Sequence, residues 1–509
     1  MSRSAAPAAT DSNTVKHNPA PENGSVMVTA LVVIVSLTLV TAAYYEGLVP
    51  KYRSVYQGAS WQEALHGAEA GAEYALQALN QFPATQKNAN TYDWTGTGWT
   101  TPASENAVRT PPGSLPVLGG TNGVQVTSLT MDVYTRDTTT ENNPWFRIRS
   151  TARADLPGRY VSSDRRDAEL RRMKLRGSAS YTRPSVSRTV EVVVKPRFRF
   201  SRAITTVDSM SLGSSSNWMV DSFDSTDTNK SEPGTTAGGI YPSANPSEIQ
   251  SNGSVATAAV LPLGVTYGPL INGNGAVVRG DVQTAGGDNP STSTYENVSG
   301  SGGMDQTRIR DDFDEEIPPA TMPTWTSWSS NPPGLTNFTT SANSNAPARY
   351  ITGNLGAFTV TAPASGTGYI EIRVAGNVSI GNGNSAKIVI PPSVNCTLYV
   401  QGNIDFGNGT VNSDAASSKV ASRLTVYGVG ATGTYTASGN AVQILSFYGP
   451  AYAVNFNGTV TTIGSVVGKS FGINGGGNGG FHYDEALGKG GDIAGWIPAS
   501  YFEDTRVDL

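Results

Sequence analysis

The chain is poor in cysteine, histidine and charge. Its 509 residues include one cysteine, so no disulfide can form within the chain and no cluster of cysteines can hold a metal. Three histidines leave little scope for histidine-dependent catalysis, and charged residues make up only 15%. The net charge of −5 gives no general reason to expect nucleic-acid binding. We expect no cofactor, no metal, no nucleic-acid partner and no catalytic residue.

Glycine and short apolar runs are abundant instead. The chain contains 57 glycines, and Val, Ile, Tyr and Trp recur in short runs between Ser, Thr and Asn. This composition is typical of many short strands joined by tight turns. The length allows two or three domains. The single cysteine, Cys396, lies in one of the apolar runs and is expected to be a small buried residue.

A long uncharged segment lies near the N-terminus. No charged residue occurs between Glu22 and Glu46. A helix over Val26–Tyr45 would be about 30 Å long, enough to span the hydrocarbon core of a membrane. An ordinary secretory signal has its small-residue cleavage site after the apolar run. Here the small residue, Gly24, precedes that run and follows a polar leader.

This arrangement resembles the type IV pilin family. The resemblance implies cleavage between Gly24 and Ser25 by a prepilin peptidase, after which the apolar helix packs subunits into a filament. It also implies that the leader is cytoplasmic and the rest of the chain lies outside. The expected location is the bacterial inner membrane before assembly, then the periplasm and a cell-surface filament. The expected partners are other pilin or minor pilin subunits.

The sequence Ala68-Glu69-Ala70-Gly71 resembles a stretch found in PilX-like minor pilins. Independently of the family, one helix face is predicted by apolar residues spaced three and four apart, namely Leu65, Ala68, Ala72, Leu76 and Leu79. Pro50 is expected to kink the helix, and Pro83 to end it. The alternative is a single-pass anchor followed by an unrelated helix.

Thr29 departs from the pilin pattern. If Ser25 is the first mature residue, Thr29 is the fifth, where most pilins carry a glutamate. In the family that glutamate pairs with the terminal amine of a neighbouring subunit. A chain without this glutamate resembles the PilX-like and K-type minor pseudopilins. The resemblance implies a tip or initiation subunit. Alternatively, Thr29 is a tolerated substitution.

A small antiparallel head is predicted after the helix. Three runs read as strands, at Val124–Thr135, Trp145–Ala154 and Thr189–Val194. Residues 147–199 contain fifteen Lys or Arg and five acids, a local charge of +10. This stretch is either a set of solvated strand faces, which we favour, or a patch for an anionic partner.

The last third contains a repeat that predicts a β-solenoid. Apolar, β-branched runs recur every 20–27 residues, with centres near Arg373, Tyr399, Val426, Phe447 and Val467. Such a period indicates stacked coils of parallel strands, and a β-sandwich is the competing fold. The region resembles a β-solenoid domain of unknown function that often follows PilX-like N-termini. The resemblance is carried by residues 220–225, 464–470 and 479–487.

The predicted fold class is therefore mainly β, with a long N-terminal α-helix and a parallel, right-handed β-helix. The expected domains are a leader (1–24), a transmembrane helix and stalk (25–82), an α+β head (83–200), a solenoid (201–487) with a proline-rich insertion near 317–348, and a C-terminal cap or tail (488–509).

The candidate site residues are few. His482, Asp484 and Glu485 form either a cap over an open solenoid end, which we favour, or a weak metal or acid–base site. Asp221, Asp224 and Asp227 do not match a calcium loop. The acidic run 311–316 is either a solvated loop, which we favour, or a site for calcium or acid–base chemistry. Gly468-Lys469-Ser470 lacks the remaining glycine of a phosphate loop.

Two function classes follow from these features. The first is a non-enzymatic minor pilin-like subunit that primes assembly or occupies a filament tip. Its solenoid would display a surface for attachment to a glycan, host or substratum. The second is a membrane-anchored β-helix enzyme, a polysaccharide lyase or hydrolase. Fold alone does not decide between them. A cleft on the solenoid with two carboxylates within about 10 Å would favour the enzyme.

Overall fold

The computed structural model describes most of the chain beyond the leader. The described residues are 25–80, 87–88, 91–92, 99–100, 108–111, 117–118, 124–134, 145–156, 185–212, 218–234, 239–260, 270–273, 275–285, 299–300, 303–325, 327–330, 336–344, 346–383, 385–474, 479–490 and 493–504. The predicted leader and Gly24 lie outside them.

The N-terminal and central elements are, in chain order, α1 (Ser25–Asn80), β1 (Lys87–Asn88), β2 (Thr91–Tyr92), β3 (Val117–Leu118), β4 (Val124–Tyr134), β5 (Trp145–Asp155), β6 (Ser185–Phe198), β7 (Ile204–Thr206), β8 (Met210–Ser211), β9 (Met219–Phe223), β10 (Val255–Thr257), β11 (Ile271–Asn272), β12 (Val277–Val278), β13 (Val282–Thr284), β14 (Ser299–Gly300), β15 (Gly303–Met304) and β16 (Ile309–Arg310).

The remaining elements are β17 (Ser329–Ser330), β18 (Asn337–Thr339), β19 (Ala348–Thr352), β20 (Phe358–Thr361), β21 (Gly368–Val374), β22 (Val378–Ser379), β23 (Lys387–Val389), β24 (Val394–Val400), β25 (Ile404–Asp405), β26 (Thr410–Val411), β27 (Leu424–Gly428), β28 (Gly433–Gly439), β29 (Val442–Gly458), β30 (Thr461–Asn474), β31 (Gly480–Asp484), α2 (Leu487–Gly490) and β32 (Ile493–Asp504). Short 3-10 helices occur at Pro246–Glu248, Gln306–Arg308 and Ala421–Arg423.

Helix α1 has two different halves. It runs without interruption through Pro50. The apolar side chains of its first half are exposed, and the helix is long and apolar enough to cross a membrane by length and composition. In the second half, Ala68, Ala72 and Leu79 are buried against the head sheet, while Leu65 and Leu76 are partly buried there. The predicted apolar stripe is confirmed.

The head is an antiparallel sheet in the order β3-β4-β5-β6-β32. The three predicted strands are confirmed as β4, β5 and β6. The fifth strand comes from the C-terminus, because β32 pairs with β6 from Ile493–Phe198 to Asp504–Thr189. The prediction that residues 488–509 form a solenoid cap or tail is therefore wrong for residues 493–504. Backbone hydrogen bonds are independent of side-chain identity, and here they join β32 to a strand of the head.

Between β6 and β32 lies a stack of coils whose strands pair in parallel. The predicted solenoid is confirmed in this respect, and the competing β-sandwich is wrong. A complete coil contributes three strands, as in β21, β22 and β23, which pair with β24, β25 and β26 of the next coil. Ile370, Ile372 and Val374 alternate inward along β21, and Cys396 is buried as predicted.

The first coil lies in the middle of the stack. Strand β7 pairs with β10 on one side and with β30 on the other, and β9 pairs with β12 and β31. We call the place where β7 and β9 meet β30 and β31 the joint. One arm of coils extends from the joint to β16, and the other extends back to β17 and β18. The solenoid therefore has no open end at β31. The predicted cap at residues 481–487 is wrong, because this segment is covered by the first coil.

The two arms are joined by a strap, residues 311–325, which has no regular secondary structure. It passes Thr284, whose carbonyl accepts a hydrogen bond from Phe313 N, and reaches Tyr448, whose hydroxyl donates to the Pro318 carbonyl at 2.5 Å. Its end lies at Tyr399, where the Trp325 ring packs 6.0 Å away. The predicted irregular insertion at 317–348 thus contains part of the strap, followed by strands β17 and β18.

Candidate functional site

The small residues of the stalk motif bring α1 close to the sheet. Ala68 is fully buried, and a Cβ added at Gly71 would collide with the Ser150 side chain of β5. Glycine therefore allows a close helix–sheet approach here. Glu69 has a different role, because its Oε1 accepts a hydrogen bond from the Tyr501 hydroxyl of β32 at 2.9 Å.

The end of α1 is also tied to the C-terminal strand. The Asn80 side chain accepts a hydrogen bond from Trp496 N at 2.6 Å and donates to the Trp496 carbonyl at 3.4 Å. The Trp496 ring packs edge-on against Phe146 at 4.9 Å. Sequence reasoning missed this clasp between helix and C-terminus. Trp496 and Tyr501, two aromatic residues after the solenoid, were a signal in the sequence that this segment packs against another part of the protein. They do not identify that part.

Two stretches singled out in the sequence meet at the joint of the solenoid. Strands β9 and β31 are adjacent, and their register places His482 opposite Asp221. The Nδ1 of His482 lies 2.6 Å from Asp221 Oδ1, and Asp221 is fully buried. Tyr241 donates its hydroxyl to Asp221 Oδ2 at 2.9 Å and stacks on the His482 ring at 3.7 Å. Burial, with the nearby Asp221, strongly raises the pKa of the Tyr241 hydroxyl.

Asp484 and Glu485 continue this buried network. Asp484 Oδ1 accepts hydrogen bonds from Ser225 N and Ala486 N, whereas its buried Oδ2 has no partner among the described residues. Burial raises the pKa of Asp484 to about 6, against the effect of these hydrogen bonds. Glu485 Oε1 accepts from the Ser222 hydroxyl at 2.8 Å and from Asn252 at 2.9 Å.

A lysine neutralises the remaining acid of the network. Lys489 of α2 places Nζ 2.5 Å from Asp224 Oδ2 and 3.8 Å from Glu485 Oε2. Burial alone would raise the pKa of Asp224, but hydrogen bonds from Lys489 and Thr226 outweigh it and lower the pKa. Asp227, the third aspartate of this stretch, lies at the surface and pairs with Lys230 at 3.5 Å.

The acids of this network are buried. Asp221, Asp224, Asp484 and Glu485 are each at most 8% exposed, so a polymeric substrate cannot contact them. Within the described ranges, no group of three or more His, Cys, Asp or Glu side chains is arranged to hold a metal. The network joins β9 of the first coil to β31, the last solenoid strand in the sequence. Polar side chains in or beside one strand are the buried partners of those in or beside the other.

The other sequence candidates fall in separate places. Thr29 lies in the exposed half of α1, one turn after Ser25. Lys469 is exposed, with Nζ 3.9 Å from Asp208. The acidic run 311–316 lies on the strap, where Glu315 pairs with Arg202 at 2.8 Å.

The described part of the basic stretch consists largely of paired strand residues. Its ion pairs join Arg147 to Asp132, Arg149 to Glu191, Arg153 to Asp155 and Arg188 to Glu503. The guanidinium of Arg188 also lies 4.4 Å from the centre of the Trp61 ring on α1. These pairs support the interpretation of solvated strand faces. Residues 157–184 of this stretch lie outside the described residues.

A family model described as "Domain of unknown function (DUF7305)" matches residues 357–489, which lie within the solenoid and make up less than half of the chain. No curated protein matches. The crystal structure of the competence-associated pilin ComZ from Thermus thermophilus is 12% identical, with 88% of this chain and 98% of that chain covered. Its TM-score of 0.25 is too low to establish a shared fold.

Proposed function

We propose that this protein is a non-enzymatic, membrane-anchored, pilin-like subunit of a type IV pilus or a related filament or secretion system. The observation that carries the proposal is the division of α1. Its apolar first half is exposed, and its second half packs small residues against a small antiparallel sheet. A helix of this kind can lie in a membrane before assembly and can then pack against the helices of neighbouring subunits.

The sequence at this end of α1 supports processing by a prepilin peptidase. Ser25, the first described residue of α1, directly follows the glycine that such a peptidase would accept. Cleavage there would remove the leader and leave the apolar helix at the new N-terminus. The protein would then pass from the inner membrane to a filament at the cell surface.

Thr29 supports a minor rather than a major subunit. Without a glutamate at this position, the chain lacks the carboxylate that would pair with the terminal amine of a neighbour. A PilX-like role at the tip, or in priming assembly, accommodates this absence because no subunit need pack above it.

The solenoid supports a display role. It is inserted between β6 and β32 of the head, so both of its chain connections are anchored to adjacent strands. Such a rigid domain would present a large surface for adhesion to a glycan, host or substratum. Fold alone does not separate this role from that of a carbohydrate-active enzyme. The burial of the acidic network at the joint favours the non-enzymatic role.

Processing is the direct test. We expect Gly24→Phe to block maturation, whereas native protein extracted from membranes should begin at Ser25 by N-terminal sequencing. Ser4→Phe, a matched change elsewhere in the leader, should be processed normally. A native chain that retains its leader, or a Gly24→Phe chain that starts at Ser25, would contradict the proposal.

The position in a filament is tested separately. Immunogold labelling should find the native protein at one filament end, in few copies. Thr29→Glu should permit internal incorporation only where an amine partner is available, because an unpaired carboxylate in the span costs roughly 2.5–3.5 kcal/mol. Labelling spread evenly along native filaments would contradict the tip role and leave the pilin-like assignment intact.

A further inference from the structure

A cleft of about 400 Å³ separates the head sheet from the first coils of the solenoid. Its head wall includes Trp145, Lys195, Arg197 and Ile497. Its solenoid wall includes Ser201, Arg202, Ser254, Asp281, Gln283 and Glu315. Ligand sites typically have volumes of about 300–1,000 Å³ and often lie between domains. The cleft therefore has the size and location of a small-molecule or oligosaccharide subsite.

Strand alternation directs two cations into the cleft. Val192 and Val194 of β6 are buried on the side of α1. Alternate residues of a strand point to opposite faces, so Lys195 and Arg197 project from the face away from the helix. On the adjacent strand β32, Ile497 pairs with Lys195 and adds an apolar contact to the same wall.

The charges of the two walls differ. On the solenoid wall, Arg202 bonds Gln283 at 2.7 Å and Glu315 at 2.8 Å, and Asp281 accepts a hydrogen bond from Arg308 at 2.9 Å. Among the described residues, by contrast, Lys195 and Arg197 form no ion pair with an acid. In the described part of the chain, the cleft thus holds two cations without a salt bridge, opposite a wall of hydroxyl, amide and carboxylate groups.

This combination matches one class of ligand. A carboxylate binds well to a lysine and an arginine that lack acidic partners. Hydroxyl groups of the same ligand can bond Ser201, Ser254 and Gln283, and the Trp145 ring supplies an apolar wall of the kind that orients bound small molecules. We propose that the cleft binds an acidic saccharide, with a uronic-acid carboxylate against Lys195 and Arg197. This assignment rests on the proposed display function and names its ligand class.

The test uses the full chain in detergent and a galacturonate oligosaccharide as the probe, followed by calorimetric titration. The Lys195→Gln/Arg197→Gln double variant should bind about tenfold more weakly or worse, a change of about 1.4 kcal/mol. The Lys230→Gln/Lys469→Gln double variant removes two cations outside the cleft and should bind like the native chain. A neutral glucose oligosaccharide of equal length should bind about tenfold more weakly than the galacturonate.

Other outcomes would overturn the assignment. Equal binding by the two double variants, or no galacturonate binding by the native chain, would exclude this site for an acidic saccharide. Inorganic phosphate or an oligothymidylate that binds as tightly would exclude saccharide recognition in favour of a simple anion or nucleic acid. The cleft variant should still be cleaved at Ser25 and enter filaments. Failure of processing would therefore affect the proposed function, whereas failure of binding alone would affect only the cleft.

Discussion

The head and the solenoid are both made of strands, but they are held together differently. In the head, an antiparallel sheet is completed by a strand from the far end of the chain, so that Thr189 pairs with Asp504. In the solenoid, each coil mostly pairs with the next one along the chain, as Gly368 does with Val394. The head therefore depends on one distant strand, whereas solenoid stability is distributed over many interfaces between coils.

The joint between the first and last coils is the exception within the solenoid. There β9 meets β31 through pairings between residues far apart in the sequence. The same region holds the buried network of Asp221, His482 and Asp484. Elsewhere in the stack the core is mainly apolar, and polar links between coils, such as those from Asn354 to Asn377 N and from Asn377 to Asn403 N, involve amide side chains near the surface. The joint thus resembles the head in its long-range pairing, and among the described residues it differs from the other coils in its buried carboxyl groups.

Removal of β32 should have the largest effect, and it should destabilise the head far more than the solenoid. A chain that ends at residue 491 loses the pairing to β6, the Trp496 packing and the Asn80 clasp. We expect hydrogen exchange to show loss of protection in β6, while β21 and β24 of the solenoid stay protected. A chain that ends at Asp504 is the control and should retain the head. Retained protection of β6 in the shorter chain would contradict this dependence.

The pH dependence of Asp484 should distinguish the joint from the rest of the solenoid. The pKa of Asp484 is raised to about 6 in the folded protein, so the folded state holds the proton more tightly than the unfolded state. Its contribution favours folding at pH values below the unfolded pKa and is lost as the pH rises through about 6. Asp484→Asn, which stays neutral, should therefore be more stable than the native chain at pH 8 by roughly 2–3 kcal/mol.

The advantage of Asp484→Asn should disappear near pH 3.5 in urea unfolding experiments. The control is Asp305→Asn at the surface, where hydrogen bonds from Thr307 lower the pKa of the native carboxyl. This change should have the opposite sign, with a loss of stability at neutral pH that fades as the pH falls through the lowered pKa. A pH-independent effect of Asp484→Asn would show that the buried carboxyl is not responsible.

His482 tests whether the joint is structural. Because His482 bonds the buried Asp221, His482→Ala should lower the free energy of unfolding by about 1–3 kcal/mol through the stranded carboxylate. His66→Ala on α1 is the matched control, since the His66 side chain is 75% exposed and should cost little. If His482 were catalytic or a metal ligand, its replacement would instead abolish an activity or a bound metal with the melting temperature nearly unchanged.

The smallest expected effect concerns the approach of α1 to the sheet. Gly71→Ala places a Cβ against Ser150; overpacking of this kind costs about 1–3 kcal/mol, and the helix propensity of alanine offsets about 1 kcal/mol of that cost. Gly58→Ala in the same helix meets nothing within 4 Å and should stabilise it by up to about 1 kcal/mol through helix propensity. Thermal unfolding of both variants should give opposite signs. Equal shifts would show that Gly71 is not needed for close approach.

Local periodicity accounts for what was predicted correctly. The spacing of Leu65, Ala68 and Ala72 predicted the packed face of α1, and repeated β-branched runs predicted the parallel coils. The candidate residues Asp221 and His482 were noticed separately, but nothing in the sequence showed that they would be paired. The cleft was also missed, because its two walls come from different domains.

By itself, the sequence determined the apolar helix, the strand runs and the inward side chains of most coils, because each depends on the spacing of nearby residues. Only the tertiary structure decided that β32 completes the head, that the first coil lies between the two arms, and that the strap joins their far ends. Backbone hydrogen bonds join any two strands of suitable geometry, so side-chain periodicity shows which face is buried but not which distant strand lies beside it.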